Sequence, residues 1–171
     1  MGVARKIAIL LGISLALFLP AVKGETQAME LKSPEFSNNE YIPKKFTCRG
    51  ENINPALIMS DIPAGTKGMA LVLNDPDAPS GDWVHWVVFD MSVAALKIEE
   101  NSVPGKQGIN DFGRIGYDGP CPPYGIHSYI FTAYALDMKL DLMEGASKAD
   151  LEKAMDGHVL AKAELIGLYK K

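Results

Sequence analysis

A mainly β, single-domain fold is what this 171-residue sequence predicts, on three observations. Its apolar runs are short, strand-length, and separated by clusters of Pro, Gly and Asn. Two of those runs are apolar on both parities, which suits strands buried on both faces of a layered structure. Only one segment carries clear start and stop signals for a helix, and repeats, heptads and low-complexity tracts are lacking. With 47% apolar and 22% charged residues, the composition is that of an ordinary globular domain.

The N-terminus reads differently from the rest. Arg5 and Lys6 precede thirteen residues, 7–19, of which only Gly12 and Ser14 are not apolar. A bilayer span needs about 20 apolar residues. A short basic head, an apolar run and the small residues of Pro20-Ala21-Val22-Lys23-Gly24 fit a secretory signal peptide. Cleavage is expected after Gly24, with Ala28 as the second choice and an uncleaved anchor as the alternative, leaving a single domain over 25–171. Loss of Arg5, Lys6 and Lys23 leaves 14 basic against 21 acidic side chains, a formal charge of −7. An acidic chain without a basic stripe gains nothing from counterion release, so nucleic acid is not expected as a partner.

Strands are expected at 29–32, 45–48, 56–59, 68–74, 83–90 and 128–137, those at 83–90 and 128–137 being central. Ser147 can cap a helix, Asp150 stands at the third position of a capping box, and Gly157 supplies a left-handed stop. Over 158–169, Val159, Ala161, Ala163, Leu165 and Tyr169 share one parity and Lys162 and Glu164 the other. That pattern favours a strand, with a helix as the alternative. Between Pro104 and Gly125, ten of 22 residues are Gly or Pro, interleaved with Phe112, Ile115, Tyr117 and Tyr124. Such a segment is expected to be an ordered loop that shapes a site. Cys48 and Cys121, if exported, either pair and close a loop of 72 intervening residues or remain free.

Several residues can carry chemistry. In Asn74-Asp75-Pro76-Asp77-Ala78-Pro79 the two prolines fix the backbone, so Asp75 and Asp77 sit on a rigid corner at a strand end, where they orient a partner or simply accept backbone N–H groups. His85 lies on an apolar strand, and His127 and Tyr129 project to one face of another. Neither His-Glu-x-x-His, Cys-x-x-Cys nor Gly-x-Ser-x-Gly occurs, which argues against a metal centre, a bound cofactor and nucleophilic catalysis.

Taken in order, Asp75-Pro76-Asp77-Ala78-Pro79, Trp83-x-His85-Trp86, Asn110-Asp111-Phe112-Gly113, Gly119-Pro120-Cys121-Pro122-Pro123 and His127-x-Tyr129 resemble the phosphatidylethanolamine-binding protein family, in its prokaryotic, Raf kinase inhibitor-like branch. The resemblance runs from Phe46-Thr47-Cys48 to Gly157-His158-Val159-Leu160-Ala161. It implies a large central antiparallel sheet packed on a smaller one, with a few helices near the C-terminus. It also implies a small anion pocket lined by Asp75, Asp77, Pro79, His85, Gly119, Pro120, His127 and Tyr129, framed by Trp83 and Trp86. Three positions depart from the family pattern: Ser128 replaces the usual arginine of His-x-Tyr, and the segment 52–59 lacks one proline and has Met59 where tryptophan is usual.

The pocket's imidazole and phenol groups can hydrogen-bond phosphate oxygens, and Asp75 can orient a histidine. The expected function is therefore that of an exported, non-catalytic, modulatory protein, periplasmic or extracellular, that binds a small anionic or phosphorylated ligand such as a phospholipid head group. Because relatives modulate kinases or inhibit serine proteases, an extracytoplasmic inhibitor of a protease or other partner protein is the alternative. A hydrolase using Asp75, His85 and His127 is a further one. Prokaryotic relatives are often homodimers.

Overall fold

The computed structural model describes residues 28–94 and 96–171, so the expected export signal, residues 1–24, lies outside the described residues. Nine strands and one α-helix follow in chain order: β1 (Glu30–Lys32), β2 (Glu40–Tyr41), β3 (Leu57–Ser60), β4 (Gly68–Asp75), β5 (Trp83–Met91), β6 (Lys97–Ile98), β7 (Lys106–Gln107), β8 (Ile126–Leu136), α1 (Lys148–Met155) and β9 (Val159–Lys170). A six-stranded sheet has the order β2-β9-β8-β4-β5-β7, and a three-stranded sheet the order β1-β3-β6. Pairing is antiparallel throughout except at one edge, where β2 runs parallel to β9.

Each face of the large sheet has its own core. Leu31, Leu57, Met59 and Ile98 of the small sheet pack on Leu71, Leu73, Trp86, Val88, Tyr129, Phe131 and Leu165 of the large one. On the opposite face, Leu151 and Met155 of α1 cover Ala70, Val72, Val84, Val87, Phe89 and Leu136. Burial on both sides explains why β4 and β5 read as near-continuous apolar runs. Met59, where the family pattern quoted above would place tryptophan, is fully buried in the sheet-to-sheet core, and a flexible thioether fills such a volume.

Ser147 and Asp150 form the expected capping box, each side chain accepting the other's backbone N–H, and Gly157 follows the helix at φ +77°. The strand reading of the C-terminal segment holds: β9 turns Ala163, Leu165 and Gly167 to the core and Lys162 and Glu164 outward. A side chain at Gly167 would overlap Ile42, whose Cγ1 lies 2.4 Å from where a Cβ would stand.

Two expectations are corrected. Residues 45–48 are no strand; a 3₁₀ turn, Lys44–Phe46, occupies this place, because the Thr47 hydroxyl and N–H both donate to the Lys44 carbonyl and close the backbone on itself. The helices implied near the C-terminus amount to α1 alone among the described residues.

Candidate functional site

β8, β4 and β5 are neighbours in the large sheet, and their register gathers the residues that spacing alone could not place together. Asp75 ends β4 opposite Trp83, the first residue of β5. On the other side Asn74 faces Ile130, which sets Asp75 beside the His127 and Tyr129 end of β8. Pro76 then turns the chain away from the sheet.

His85 reaches the site through a β-bulge. Asn74 pairs with Val84 and Leu73 with Trp86, leaving His85 as a surplus residue of β5. Strict alternation would put positions 84 and 86 on one face. Instead Val84 packs on the helix side and Trp86 on the small-sheet side. The bulge also frees the His85 carbonyl from the ladder, and it accepts the N–H of Asp118 at 3.1 Å and the Asn110 amide at 3.4 Å.

Those partners belong to the Gly/Pro-rich segment 104–125, which is ordered by polar side chains. Asn110 accepts the N–H groups of Phe112 and Arg114 and donates to the Asp118 carboxylate at 2.7 Å. Arg114 and Asn52 donate to the same buried carboxylate. Asp111 exchanges two hydrogen bonds with the backbone of Val84, fastening the loop to β5. The disulfide between Cys48 and Cys121, with Cα atoms 5.4 Å apart, settles the pairing question and ties the loop's end to the 3₁₀ turn.

Between this loop and the strand ends lies a cavity of about 190 Å³, lined by Asp75, Ala78, Pro79, Ser80, Trp83, His85, Phe112, Cys121 and Pro123. Of the residues expected from sequence, Asp75, Pro79, Trp83 and His85 line it directly. His127 stands behind Asp75, donating its Nδ1–H to the carboxylate at 2.8 Å, both groups being buried. The other Asp75 oxygen accepts the Asp77 N–H, while Asp77 accepts the Ser128 N–H and so binds the corner to β8. The corner thus both orients a histidine and closes a turn. Tyr129 is fully buried beside Asp75 and the backbone of Cys121, edge-on to His85 with ring centres 5.2 Å apart.

Gly119 and Pro120 hold the wall from behind. The Gly119 N–H donates to Asn52 and the Pro120 carbonyl accepts the Cys48 N–H. At Gly119 a Cβ would stand 2.2 Å from the Phe46 carbonyl oxygen, so glycine is needed for close backbone approach. Trp86 does not frame the cavity: the bulge turns it into the sheet-to-sheet core, fully buried, with its indole N–H on Gln107 at 2.8 Å.

Phe112, Cys121, Ala78, Ser80 and Pro123 were not assigned to the site from sequence. Phe112 closes one side, edge-on to both Trp83 and His85. The available signal was Asn110-Asp111-Phe112-Gly113, a turn-forming quartet that places one aromatic at a fixed point of the loop.

Protonation states follow from these contacts. His85 Nδ1 lies 2.6 Å from the Asp118 carbonyl, which can only accept, so Nδ1 carries the proton. Burial lowers the His85 pKa below its ordinary value, opposed by the carbonyls of Asp118 and Gly119 and by the Asp75 and Asp118 charges. Burial, then the charge of Asp75, pushes the Tyr129 hydroxyl far above the usual phenol range, so it stays a neutral O–H group. The buried indole N–H of Trp83 has no hydrogen-bond partner in the protein, whereas the Tyr129 hydroxyl lies beside the Asp75 carboxylate and the Cys121 backbone without forming a well-aligned bond to either. Among the described residues, no three His, Cys, Asp or Glu side chains are grouped to hold a metal ion.

The family sequence model described as phosphatidylethanolamine-binding protein matches residues 32–170. The chain belongs to the phosphatidylethanolamine-binding protein family. A UPF0098 protein of Methanothermobacter thermautotrophicus is 49% identical over 151 residues, covering 84% of this chain and 99% of its own. One from Aquifex aeolicus is 48% identical, covering 84% and 89%. Among solved structures, a chain described as a phosphatidylethanolamine-binding protein homolog from Chlamydia trachomatis superposes with a TM-score of 0.82 at 45% identity, covering 84% of this chain and 98% of its own. YbcL of Escherichia coli, described as a member of the mammalian family, gives a TM-score of 0.79 at 28% identity, covering 85% and 99%. The two-sheet architecture is therefore the fold of this family.

Proposed function

We propose that this chain is an exported binding protein that holds the phosphorylated head group of a small ligand between His85 and Trp83, and acts by occupancy without turnover. The observation that carries the reading is the indole N–H of Trp83, a residue that lines the cavity beside His85: it is a buried donor without a partner in the protein. Buried donors are nearly always satisfied, and an unpartnered donor on a cavity-lining residue suits an anionic oxygen ligand. The family name carried by the solved relatives supports the same head-group chemistry. With a formal charge of −7 after loss of residues 1–24, attraction must come from local donors and not from the field of the whole protein.

An anion favours the charged form of His85, so binding takes up a proton and tightens as pH falls, by at most about tenfold per pH unit for one proton. Calorimetry with phosphorylethanolamine on the wild-type protein and on His85→Ala tests this: binding by the wild type, weaker in the variant, is expected. Equal binding by both proteins, or binding by neither, sinks the reading. Export is supported by the pattern over residues 1–24 and by the Cys48–Cys121 disulfide, a bond that persists in oxidising compartments. N-terminal sequencing of protein recovered outside the cytoplasm is expected to begin at Glu25, and an intact Met1 there would contradict it.

A further inference from the structure

We propose that a second cavity, at the seam between the two sheets, takes an extended, uncharged peptide segment of a partner protein, which adds as a strand to the open edge of β9. This cavity measures about 640 Å³ and shares no lining residue with the one at His85, so the proposal stands apart from the head-group reading. Its walls are residues 29–33, which contain β1, and residues 162–165 of β9, with 36–38 at the Ile166 end. Alternate residues of a strand face opposite sides, so a wall made of consecutive residues is a strand edge and not a strand face. Two strand edges border one space: β1 is the outer strand of the small sheet, and β2 covers β9 only at Gly167 and Leu168.

Both edges present unused backbone groups. The Ile166 carbonyl accepts the Asn39 N–H at 2.7 Å, the Ile166 N–H donates to Asn38 at 2.8 Å, and the Leu168 carbonyl accepts the Ile42 N–H at 2.8 Å. These residues therefore turn their backbone groups away from β8, and by alternation Glu164 and Lys162 do the same. Among the described residues nothing pairs with the outward N–H and C=O groups of Glu164 and Lys162. Across the cavity, the Met59 N–H points to Leu96 beside β6, so Ile58 and Ser60 turn to β1 and face Lys32 and Glu30. Leu31, between those two, turns its own N–H and C=O to the open side, again without a described partner. The line of Asn38, Asn39 and β2 already uses this edge of β9, and a partner strand over 162–164 prolongs it, the mode by which a sheet edge captures an extended peptide.

The walls set the chemistry of the partner. Met29, Leu31, Phe36, Ala163 and Leu165 give the cavity an apolar floor continuous with the sheet-to-sheet core. An exposed lysine on a strand edge ordinarily discourages pairing. Here Lys32 is bound to Glu30 and Lys162 to Glu164, each on its own strand, so neither sign of charge is in excess at the rim. A peptide that alternates apolar with uncharged polar side chains matches this surface: one parity covers the floor while the other stays in water.

Amide hydrogen exchange followed by NMR on the purified protein, with acetyl-Thr-Val-Thr-Val-Thr-amide as the probe, tests the proposal. Exchange at Lys162 and Glu164 is expected to be fast in the free protein and to slow about fivefold with the peptide, the equivalent of one net hydrogen bond. The same peptide N-methylated at every residue keeps its side chains but cannot pair as a strand, and should give no protection. Lys162→Pro removes an N–H that points away from β8, so it should melt with the wild type while the peptide no longer protects Glu164. Slow exchange at both amides before any peptide is added would show the edge already covered by the chain's own residues and overturn the proposal. Equal protection by the N-methylated peptide would make the cavity a site for apolar groups and not for a strand. Absence of protection at Lys162 and Glu164 would overturn the site altogether.

Discussion

Replacing both Cys48 and Cys121 by serine is expected to lower stability by about 4 kcal/mol, because the bond closes a loop of 72 residues in the unfolded chain. For a domain of this size such a loss corresponds to a fall in melting temperature of roughly 10 °C. The native state should survive, since the two segments are also joined by the Cys48 N–H to Pro120, Asn52 to Gly119, and the Tyr117 hydroxyl to the Phe46 carbonyl at 2.7 Å. Circular dichroism melts of the wild type with and without reductant provide the same comparison without mutation. Coincident melts, with reduction verified by mass, would show that the crosslink contributes nothing.

Trp86→Ala is expected to cost about 3–5 kcal/mol, the usual penalty for emptying a large aromatic site in a close-packed core. Trp86 is fully buried among Leu73, Val88 and Tyr117, so the loss should appear in denaturant titrations. Trp83→Phe should behave in the opposite way. It keeps an aromatic ring near Phe112 and removes a buried donor that has no protein partner, so stability should hold while phosphorylethanolamine binding weakens about tenfold. If Trp86→Ala left stability intact, or if Trp83→Phe bound as tightly as the wild type, the division of labour between the two indoles would be wrong.

That division shows where sequence reading stopped. The strands β4, β5, β8 and β9 and the helix α1 were legible because parity and caps are local: Ser147 and Asp150 meet within one turn, and β9 alternates over its own twelve residues. β2, β6 and β7 were not, since two residues carry no period and each exists only through its neighbour, as Lys106 and Gln107 do against Phe89 and Val88. Asp75 and His85, which line the cavity, and His127 and Tyr129, which stand behind it, were singled out by residue type and motif. Trp86 was misplaced because a bulge depends on how β4 meets β5, and nothing in 83–90 announces which residue will be surplus. Phe112 and the carboxylate of Asp118 were missed for a related reason: their roles depend on a loop folding back over β5.

The bulge at His85 separates two kinds of information that a strand residue ordinarily carries together. Val84 and Trp86 keep the register with Asn74 and Leu73, while position 85 takes no part in the count. Its side chain can therefore change without shifting the sheet by a residue, so long as the loop still finds its carbonyl. On the reading proposed above, selection acting on this scaffold can alter ligand preference at position 85 without changing the register of the sheet.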